Sequence, residues 1–127
     1  MIAAHDFFEN RYASFWIREG ILYFEYRPGT VIDEESARLV VADRISFQNE
    51  RFLPILCDTR GIVSADKAGR DYLARSGSVL AVAVALLVDE NVSLAMGTFY
   101  LEISRPAVPT SIFRERDDAL AYLGGFI

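Results

Sequence analysis

The sequence has few of the residues on which enzyme chemistry most often depends. Among its 127 residues there is one cysteine, Cys57, and one histidine, His5. A single cysteine cannot form an intramolecular disulfide or a thiolate zinc site, and inside an apolar run a thiol behaves as a small hydrophobic side chain. His5 is isolated near the start, so no base is at hand for a serine or cysteine nucleophile. We therefore expect no catalytic residues, no bound metal and no cofactor.

Positive charge and long apolar runs are also scarce. Lys and Arg number 13 against 18 Asp and Glu, a net charge of −5, whereas proteins that bind nucleic acids need a basic surface. The longest apolar run, residues 79–88, is about half as long as a membrane-spanning helix. The first residues lack a basic segment followed by an apolar one, which argues against a signal peptide. These absences predict a cytoplasmic protein without a nucleic-acid partner or a membrane span.

What the sequence does contain is the composition of a folded core. Hydrophobic residues make up 52% and charged residues 24%, which is typical of a globular chain rather than a disordered one. The length fits one domain over residues 1–127. Residues 13–17 and 21–26 are rich in β-branched and aromatic side chains, and the three residues between them end in glycine. This pattern predicts a β-hairpin.

Two continuous apolar runs, residues 52–57 and 79–88, predict strands buried on both faces, as in a parallel sheet. Helices are expected between and after them. The predicted helices begin at Asp33, at Ser64 or Asp66, at Asn91 and at Asp117, and a last short strand covers residues 109–113.

The order β-β-α-β-α-β-α-β-α predicts an α/β fold. We expect a mixed sheet with an N-terminal antiparallel hairpin followed by parallel strands, covered by about four helices. Ligands and partners of such sheets gather at the carboxyl ends of the strands. Those ends carry Asp58 with Arg60, Asp89, and Arg114 with Glu115.

One stretch resembles the central motif of STAS domains, the family of bacterial anti-sigma-factor antagonists. In that motif an acid ending a strand is followed by a glycine, a second acid and a second glycine, here Asp58, Gly61, Asp66 and Gly69. The resemblance extends in strand order over nearly the whole chain and implies a SpoIIAA/STAS-like fold. Segments such as residues 85–89 are also similar to small bacterial proteins of unknown function described as STAS/SEC14-like, which add no known activity.

The resemblance implies a phosphorylation switch that the residues do not support. In the antagonists a serine just before the second glycine accepts a phosphate, which blocks the partner by its charge. Here that position is Ala68, preceded by Lys67, and alanine cannot be phosphorylated. Ser64 keeps a hydroxyl nearby, although a helix cap is its simplest role.

Four polar residues are candidates for binding a partner or ligand: Asp58, Arg60, Ser64 and Asp66. Arg60 could offer its planar fork to a carboxylate or phosphate. The structural alternative is that Asp58 caps its own turn and Arg60 is a solvated loop charge. Asp58, Asp66 and Asp89 could together hold a divalent cation, but each has a capping role, and we predict no metal.

The third helix is apolar around most of its circumference. Its predicted buried stripe contains Val92, Ala95, Met96, Phe99 and Ile103. Leu94, Tyr100 and Leu101 lie away from that stripe, which predicts a homodimer contact through these three side chains. A groove for a lipid or apolar ligand and a more deeply buried helix are the alternatives.

Together these features predict a non-catalytic, regulatory protein-interaction module of STAS-like type that lacks the phosphoacceptor serine. Its partners are expected to be another protein and a second copy of itself. The alternative is a carrier or sensor of a small apolar ligand or lipid, and an enzyme using Asp58, Arg60 and Asp66 is a third possibility.

Overall fold

A six-stranded mixed sheet and a separate pair of parallel strands form the framework of the molecule. A computed structural model describes residues 7–89 and 92–127. The strands are β1 (Phe7–Glu9), β2 (Ala13–Arg18), β3 (Ile21–Tyr26), β4 (Thr30–Ile32), β5 (Leu53–Asp58), β6 (Ile62–Ala65), β7 (Ala81–Leu87) and β8 (Thr110–Phe113). The helices are α1 (Glu34–Gln48), α2 (Lys67–Ser76), α3 (Val92–Phe99) and α4 (Arg116–Gly124), and α3 continues into a π-helical segment, Tyr100–Ser104.

The six strands lie in the order β1-β2-β3-β5-β7-β8. The first three are antiparallel, and β3, β5, β7 and β8 pair in parallel. Outside this sheet, β4 pairs in parallel with β6. The predicted α/β fold, an N-terminal hairpin followed by parallel strands with helices over them, is confirmed.

The hairpin forms where the sequence predicts it. Arg18 pairs with Ile21, which leaves Glu19 and Gly20 as a two-residue turn with φ of 52° and 80°. Positive φ at both turn positions matches the right-handed twist of the flanking strands, and glycine adopts it without strain.

The core lies on both faces of the parallel strands. Ile55 packs in a cluster with Val40 of α1, and partly buried side chains of α2 and α3 pack against that cluster. Its neighbour Leu56, which is 1% exposed, packs with Ala119 and Leu123 of α4. Because alternate residues of a strand face opposite sides, the continuous apolar run of β5 serves two helical layers.

Side-chain caps fix where the first two helices start. The backbone N–H of Ser36 donates to Asp33 Oδ1 at 2.8 Å, and the backbone N–H of Asp33 donates to Ser36 Oγ at 2.9 Å. At α2 the N–H of Gly69 donates to Asp66 Oδ1 at 2.7 Å. Asp66 is therefore the cap, and the alternative cap Ser64 is wrong because that residue lies in β6.

Some predicted boundaries differ from the structure. The strands β1, β4 and β6 were not predicted, because runs of three or four residues carry too little periodicity to stand out. β7 begins at Ala81, two residues later than predicted, since Leu80 has a φ of 64°, incompatible with a strand. α4 has Glu115 as its cap instead of Asp117. The proposed cap Asn91 and the isolated His5 lie outside the described residues.

The predicted buried stripe of α3 is wrong in part: Met96 packs against the core, but Phe99 and Ile103 face outward. Phe99 and Ile103 are 43% and 63% exposed, whereas Gly97 is buried. A Cβ on Gly97 would lie 3.4 Å from side-chain atoms of Val88 and Ile112, so the helix packs against β8 through its smallest residue. A stripe of apolar residues takes no account of a glycine contact, which is why the prediction placed Phe99 and Ile103 on the buried face.

The three side chains predicted to point outward are instead partly covered. Leu94, Tyr100 and Leu101 are all partly buried, and the Tyr100 hydroxyl donates to the carbonyl oxygen of Leu73 at 3.1 Å. The homodimer contact through these residues stays a prediction, although Tyr100 is already engaged within its own chain.

Candidate functional site

The carboxyl end of β5 carries a tightly joined acid–base pair. Arg60 Nε donates to Asp58 Oδ1 at 2.9 Å and Arg60 Nη2 donates to Oδ2 at 2.8 Å. The Asp58 side chain is 8% exposed and that of Arg60 46%. The hydrogen bonds to Asp58 raise the pKa of Arg60 above its ordinary value. The planar fork considered for an external anion is therefore occupied by the chain's own carboxylate.

Neighbouring groups complete this edge of the sheet. Arg116 Nη2 lies 3.7 Å from Asp58 Oδ2 and 4.0 Å from Glu25 Oε2. The hydroxyl of Thr59 donates to the carbonyl oxygen of Leu87 at 2.9 Å. These contacts hold the ends of β3, β5 and β7 and the start of α4 in fixed relation to the turn after β5.

The two glycines of the motif stand where backbones approach closely. A Cβ on Gly61 would lie 2.5 Å from the carbonyl oxygens of Tyr26 and Arg27, and one on Gly69 would lie 3.0 Å from the carbonyl of Asp33. The distance at Gly61 is shorter than any real Cβ contact, and the one at Gly69 would require the neighbouring backbone to move. With Asp58 in its ion pair and Asp66 as a cap, every residue of the motif helps to position β6 and α2.

The surface that this motif positions is exposed and partly apolar. Val31 of β4 and Val63 of β6 are each 51% exposed, and Val31 lies opposite Ser64 in the strand pair. Ser64, Lys67 and Ala68 are exposed beside them. We name these five residues the β6–α2 surface.

Behind that surface, a cavity of about 100 Å³ lies between the sheet and helices α1, α2 and α3. Its lining is mostly apolar and includes Phe24, Val40, Ile55, Leu73 and Met96.

Arg44 of α1 lines the same cavity and is 2% exposed. Its Nη1 donates to the carbonyl oxygen of Val79 at 2.8 Å and to Gln48 Oε1, and its Nη2 donates to the carbonyl oxygen of Gly77 at 3.0 Å. Burial lowers the pKa of Arg44 from its ordinary value, but a guanidinium starts so high that it remains charged at neutral pH. The cavity therefore contains a permanent positive charge.

The acidic groups nearest this charge are all neutral at ordinary pH. Burial raises the pKa of the Cys57 thiol to about 12, and it raises the pKa of Tyr26 and of Tyr100 well above the ordinary value. A protonated thiol is a poor nucleophile, so Cys57 is not activated for catalysis.

The four predicted binding residues fall into separate local arrangements. Asp58 and Arg60 form one pair, Asp66 caps α2, and Ser64 lies exposed on β6. Within residues 7–89 and 92–127, no cluster of His, Cys, Asp and Glu side chains could hold a metal ion. None of the described helices is long and apolar enough to cross a membrane.

Arg44 and Gln48 are the residues that the sequence interpretation missed. Both are buried polar side chains of α1, and Arg44 lies three residues after Val41 and four after Val40, on the helix's apolar face. A charged residue inside an otherwise apolar stripe is the signal that could have identified it.

Comparison with solved structures shows the fold clearly. An uncharacterised DUF3478 family protein with a SpoIIAA-like fold from Shewanella loihica PV-4 superposes with a TM-score of 0.58 at 12% identity, over 91% of this chain and 98% of that one. An anti-sigma factor antagonist from Mycobacterium paratuberculosis superposes with a TM-score of 0.53 at 15% identity, over 98% and 99% of the two chains. The predicted STAS-like fold is thereby confirmed. No curated protein sequence matches the chain.

A family profile matches residues 15–127, the greater part of the sequence. That match includes the acid–glycine motif, all five residues of the β6–α2 surface, and the lining of the cavity. The chain therefore belongs to the DUF7793 family, a domain of unknown function.

Proposed function

We propose that this protein is a regulatory interaction module that binds a protein partner through the β6–α2 surface. The observation that carries the proposal is the pair of exposed valines, Val31 and Val63, each 51% exposed on adjacent short strands. Apolar side chains grouped on a surface and rimmed by polar residues are typical of protein-binding sites. Ser64 and Lys67 supply the polar rim here.

The rigidity of this surface supports the same proposal. The backbone N–H of Asp66 donates to the carbonyl oxygen of Ile32 at 3.0 Å, and that of Gly29 donates to the carbonyl oxygen of Gly61 at 2.9 Å. With the Asp66 cap, these bonds tie both strands to the start of α2. A surface that is already ordered loses little conformational entropy when it binds.

Arg60 extends the proposed surface on its polar side. Its side chain is 46% exposed, so one face of the guanidinium remains available while its fork holds Asp58. The likeness to an anti-sigma factor antagonist adds support for a protein partner, and a cytoplasmic site of action is part of the proposal.

Ala68 removes one mode of regulation, phosphorylation at the start of α2, from the proposal. It stands exposed at the start of α2 in the position where the STAS resemblance expects a phosphorylated serine. Binding through this surface would therefore not be switched off by a phosphate at that position.

Affinity capture from the host with matched variants tests the proposal. Val63→Asp puts a charge in the centre of the surface and should reduce recovery of the partner about ten-fold or more. Val79→Asp is the control, because Val79 is 45% exposed and precedes β7, at the opposite end of the strands. Equal recovery with both variants, each shown to be folded by circular dichroism, would reject the β6–α2 surface as the binding site.

Homo-oligomerisation is a second part of the proposal and involves the outer face of α3. The apolar side chains most exposed there are Phe99 and Ile103, and Leu94 and Leu101 are partly buried beside them. If α3 forms a homodimer contact, Ile103→Glu should shift the mass measured by light scattering toward the monomer. A wild-type protein that is monomeric at high concentration would remove this part of the proposal.

A further inference from the structure

The cavity between the sheet and helices α1 to α3 combines a mostly apolar lining with two arginines, Arg44 and Arg70, of which only Arg44 is fully buried. Its volume is about 100 Å³, and Val40, Ile55 and Met96 represent the hydrophobic side chains that enclose it. Arg44 contributes the buried charge and is 2% exposed. Apolar side chains do not stabilise a cation. Burying a cation among them therefore costs free energy unless an anion pairs with it.

No carboxylate pairs with Arg44 anywhere in the described ranges. Its three hydrogen-bond acceptors are the neutral oxygens of Gln48, Gly77 and Val79. The acidic side chains that interact with it electrostatically are Cys57, Tyr26 and Tyr100, all of which stay protonated at neutral pH. The charge of Arg44 is therefore solvated by dipoles but not neutralised by an anion of the protein.

One edge of the Arg44 guanidinium is unused. Both hydrogens of Nη1 are engaged, whereas Nη2 makes one described bond and Nε makes none within the described part of the chain. Nε and Nη2 together form the side-on fork that fits a carboxylate. Arg60 uses the same two atoms to bind Asp58, at 2.9 and 2.8 Å.

A hydroxyl group is also available beside this charge. Tyr26 is 5% exposed and lines the cavity, and no hydrogen bond of its hydroxyl is found among the residues that the structure describes. A phenol hydroxyl that is not already engaged can donate to an incoming oxygen.

We propose that this cavity binds a small apolar monocarboxylic acid, with its carboxylate on the Nε–Nη2 edge of Arg44 and its hydrocarbon part against the apolar lining. The inference names a ligand class for the carrier or sensor function that the sequence left open, and it is independent of the β6–α2 surface. An engineered cavity of about 150 Å³ holds benzene, and this one has about two thirds of that volume, so it suits a short acid of roughly three or four carbon atoms. The flexible Met96 can adjust to its shape.

Amide NMR titrations of the wild-type protein provide the first test. The probes are propionate, butyrate and isobutyrate, each compared with the corresponding alcohol, which has the same hydrocarbon part but no charge. At least one acid should shift the signals of cavity residues saturably, and it should bind about ten-fold or more tightly than its alcohol. Absence of saturable shifts up to about 10 mM acid, or equal binding of acid and alcohol, would overturn the proposal.

Two variants locate the site. Arg44→Lys keeps the charge but loses the planar fork, and it should weaken binding of the acid about ten-fold while leaving the alcohol unchanged. Ala65→Leu adds bulk to a residue that lines the cavity and should abolish saturable binding. Ala42→Leu, on the exposed face of α1, is the matched control and should bind like the wild type.

These variants keep the inference testable even if Arg44→Lys does not fold. In that case the comparison of acids with alcohols on the wild type still decides whether a charge is recognised. Ala65→Leu still decides whether the ligand enters this cavity, since unchanged binding by that variant would contradict the proposal.

Discussion

At the scale of single residues, the second glycine of the acid–glycine motif, Gly69, is required by a close approach between two parts of the chain. A Cβ at this position would lie 2.8 Å from Ile32 Cγ2 and 3.0 Å from the backbone of Asp33. The glycine therefore lets the first turn of α2 rest on the end of β4 and the cap of α1. Sequence reasoning identified the motif by resemblance, but it could not assign this role, because β4 itself was not predicted.

Replacing this glycine tests its packing role. Gly69→Ala should lower the free energy of unfolding by about 1 kcal/mol, since the contact with Ile32 and Asp33 outweighs the better helix propensity of alanine. Ala68→Ser, at the exposed neighbouring position, should change it by less than about 0.5 kcal/mol. Urea denaturation measures both, and a more stable Gly69→Ala protein would contradict the close-approach argument.

Asp33 gives the fold a dependence on pH at the start of α1. Hydrogen bonds from the backbone and side chain of Ser36 lower the pKa of Asp33 from its ordinary value of 3.8, so the ionised carboxylate stabilises the folded state. This contribution is complete above the unfolded-state pKa and is lost as the pH falls through the lower, folded-state pKa.

The expected result is a stability difference that changes with pH. Asp33→Asn should be less stable than the wild type at pH 7, because an amide lacks the charge that favours a helix N-terminus. The difference should shrink as the pH is lowered below the unfolded-state pKa. Glu50→Gln removes one negative charge at an exposed position and serves as the control; a difference for Asp33→Asn that is constant with pH would refute the linkage.

At the scale of secondary structure, the helical spacing of apolar residues predicts α3 and the segment after it only in part. The sequence predicted one α-helix to Ser104, but the last five residues are π-helical. The side chain of Tyr100 reaches inward to the carbonyl of Leu73, and Gly97 forms the close contact with the sheet. A 3.6-residue period of apolar side chains reveals neither a change from α-helix to π-helix nor a close contact made by a glycine.

Removing one hydroxyl tests the inward orientation of this segment. Tyr100→Phe should lower the free energy of unfolding by about 1 kcal/mol, the net value of a typical internal hydrogen bond. Tyr23→Phe is the control, because Tyr23 stacks on Trp16 and its hydroxyl has no hydrogen bond within residues 7–89 and 92–127. Thermal denaturation compares the two, and an unaltered Tyr100→Phe protein would place that hydroxyl outside the core.

At the scale of the whole molecule, the sheet order follows directly from sequence patterns that are strong. The continuous apolar runs of β5 and β7 belong at the centre of the sheet, where both faces are covered, and they are found there. The hairpin was equally predictable from its turn. The cavity was not, because an empty volume depends on how helices from three distant segments meet, and no local pattern records it.

The central position of β5 makes its core residues costly to truncate. Leu56 is 1% exposed and packs with residues of β7 and α4. Leu56→Ala should lower the free energy of unfolding by about 3 kcal/mol, whereas Leu39→Ala, at a residue that is 38% exposed on α1, should cost much less. Chemical denaturation measures both free energies of unfolding. Equal destabilisation of the two variants would contradict the arrangement of β5 between two helical layers.

The most direct test of the interaction function is hydrogen exchange of this protein, alone and in complex with the partner recovered by affinity capture. The account predicts slower amide exchange in residues 30–32 and 62–68 of the complex, with no change in β1 and β2, the antiparallel edge of the six-stranded sheet to which β4 and β6 do not belong. Protection confined to β1 and β2, or an absence of protection in residues 62–68, would contradict it.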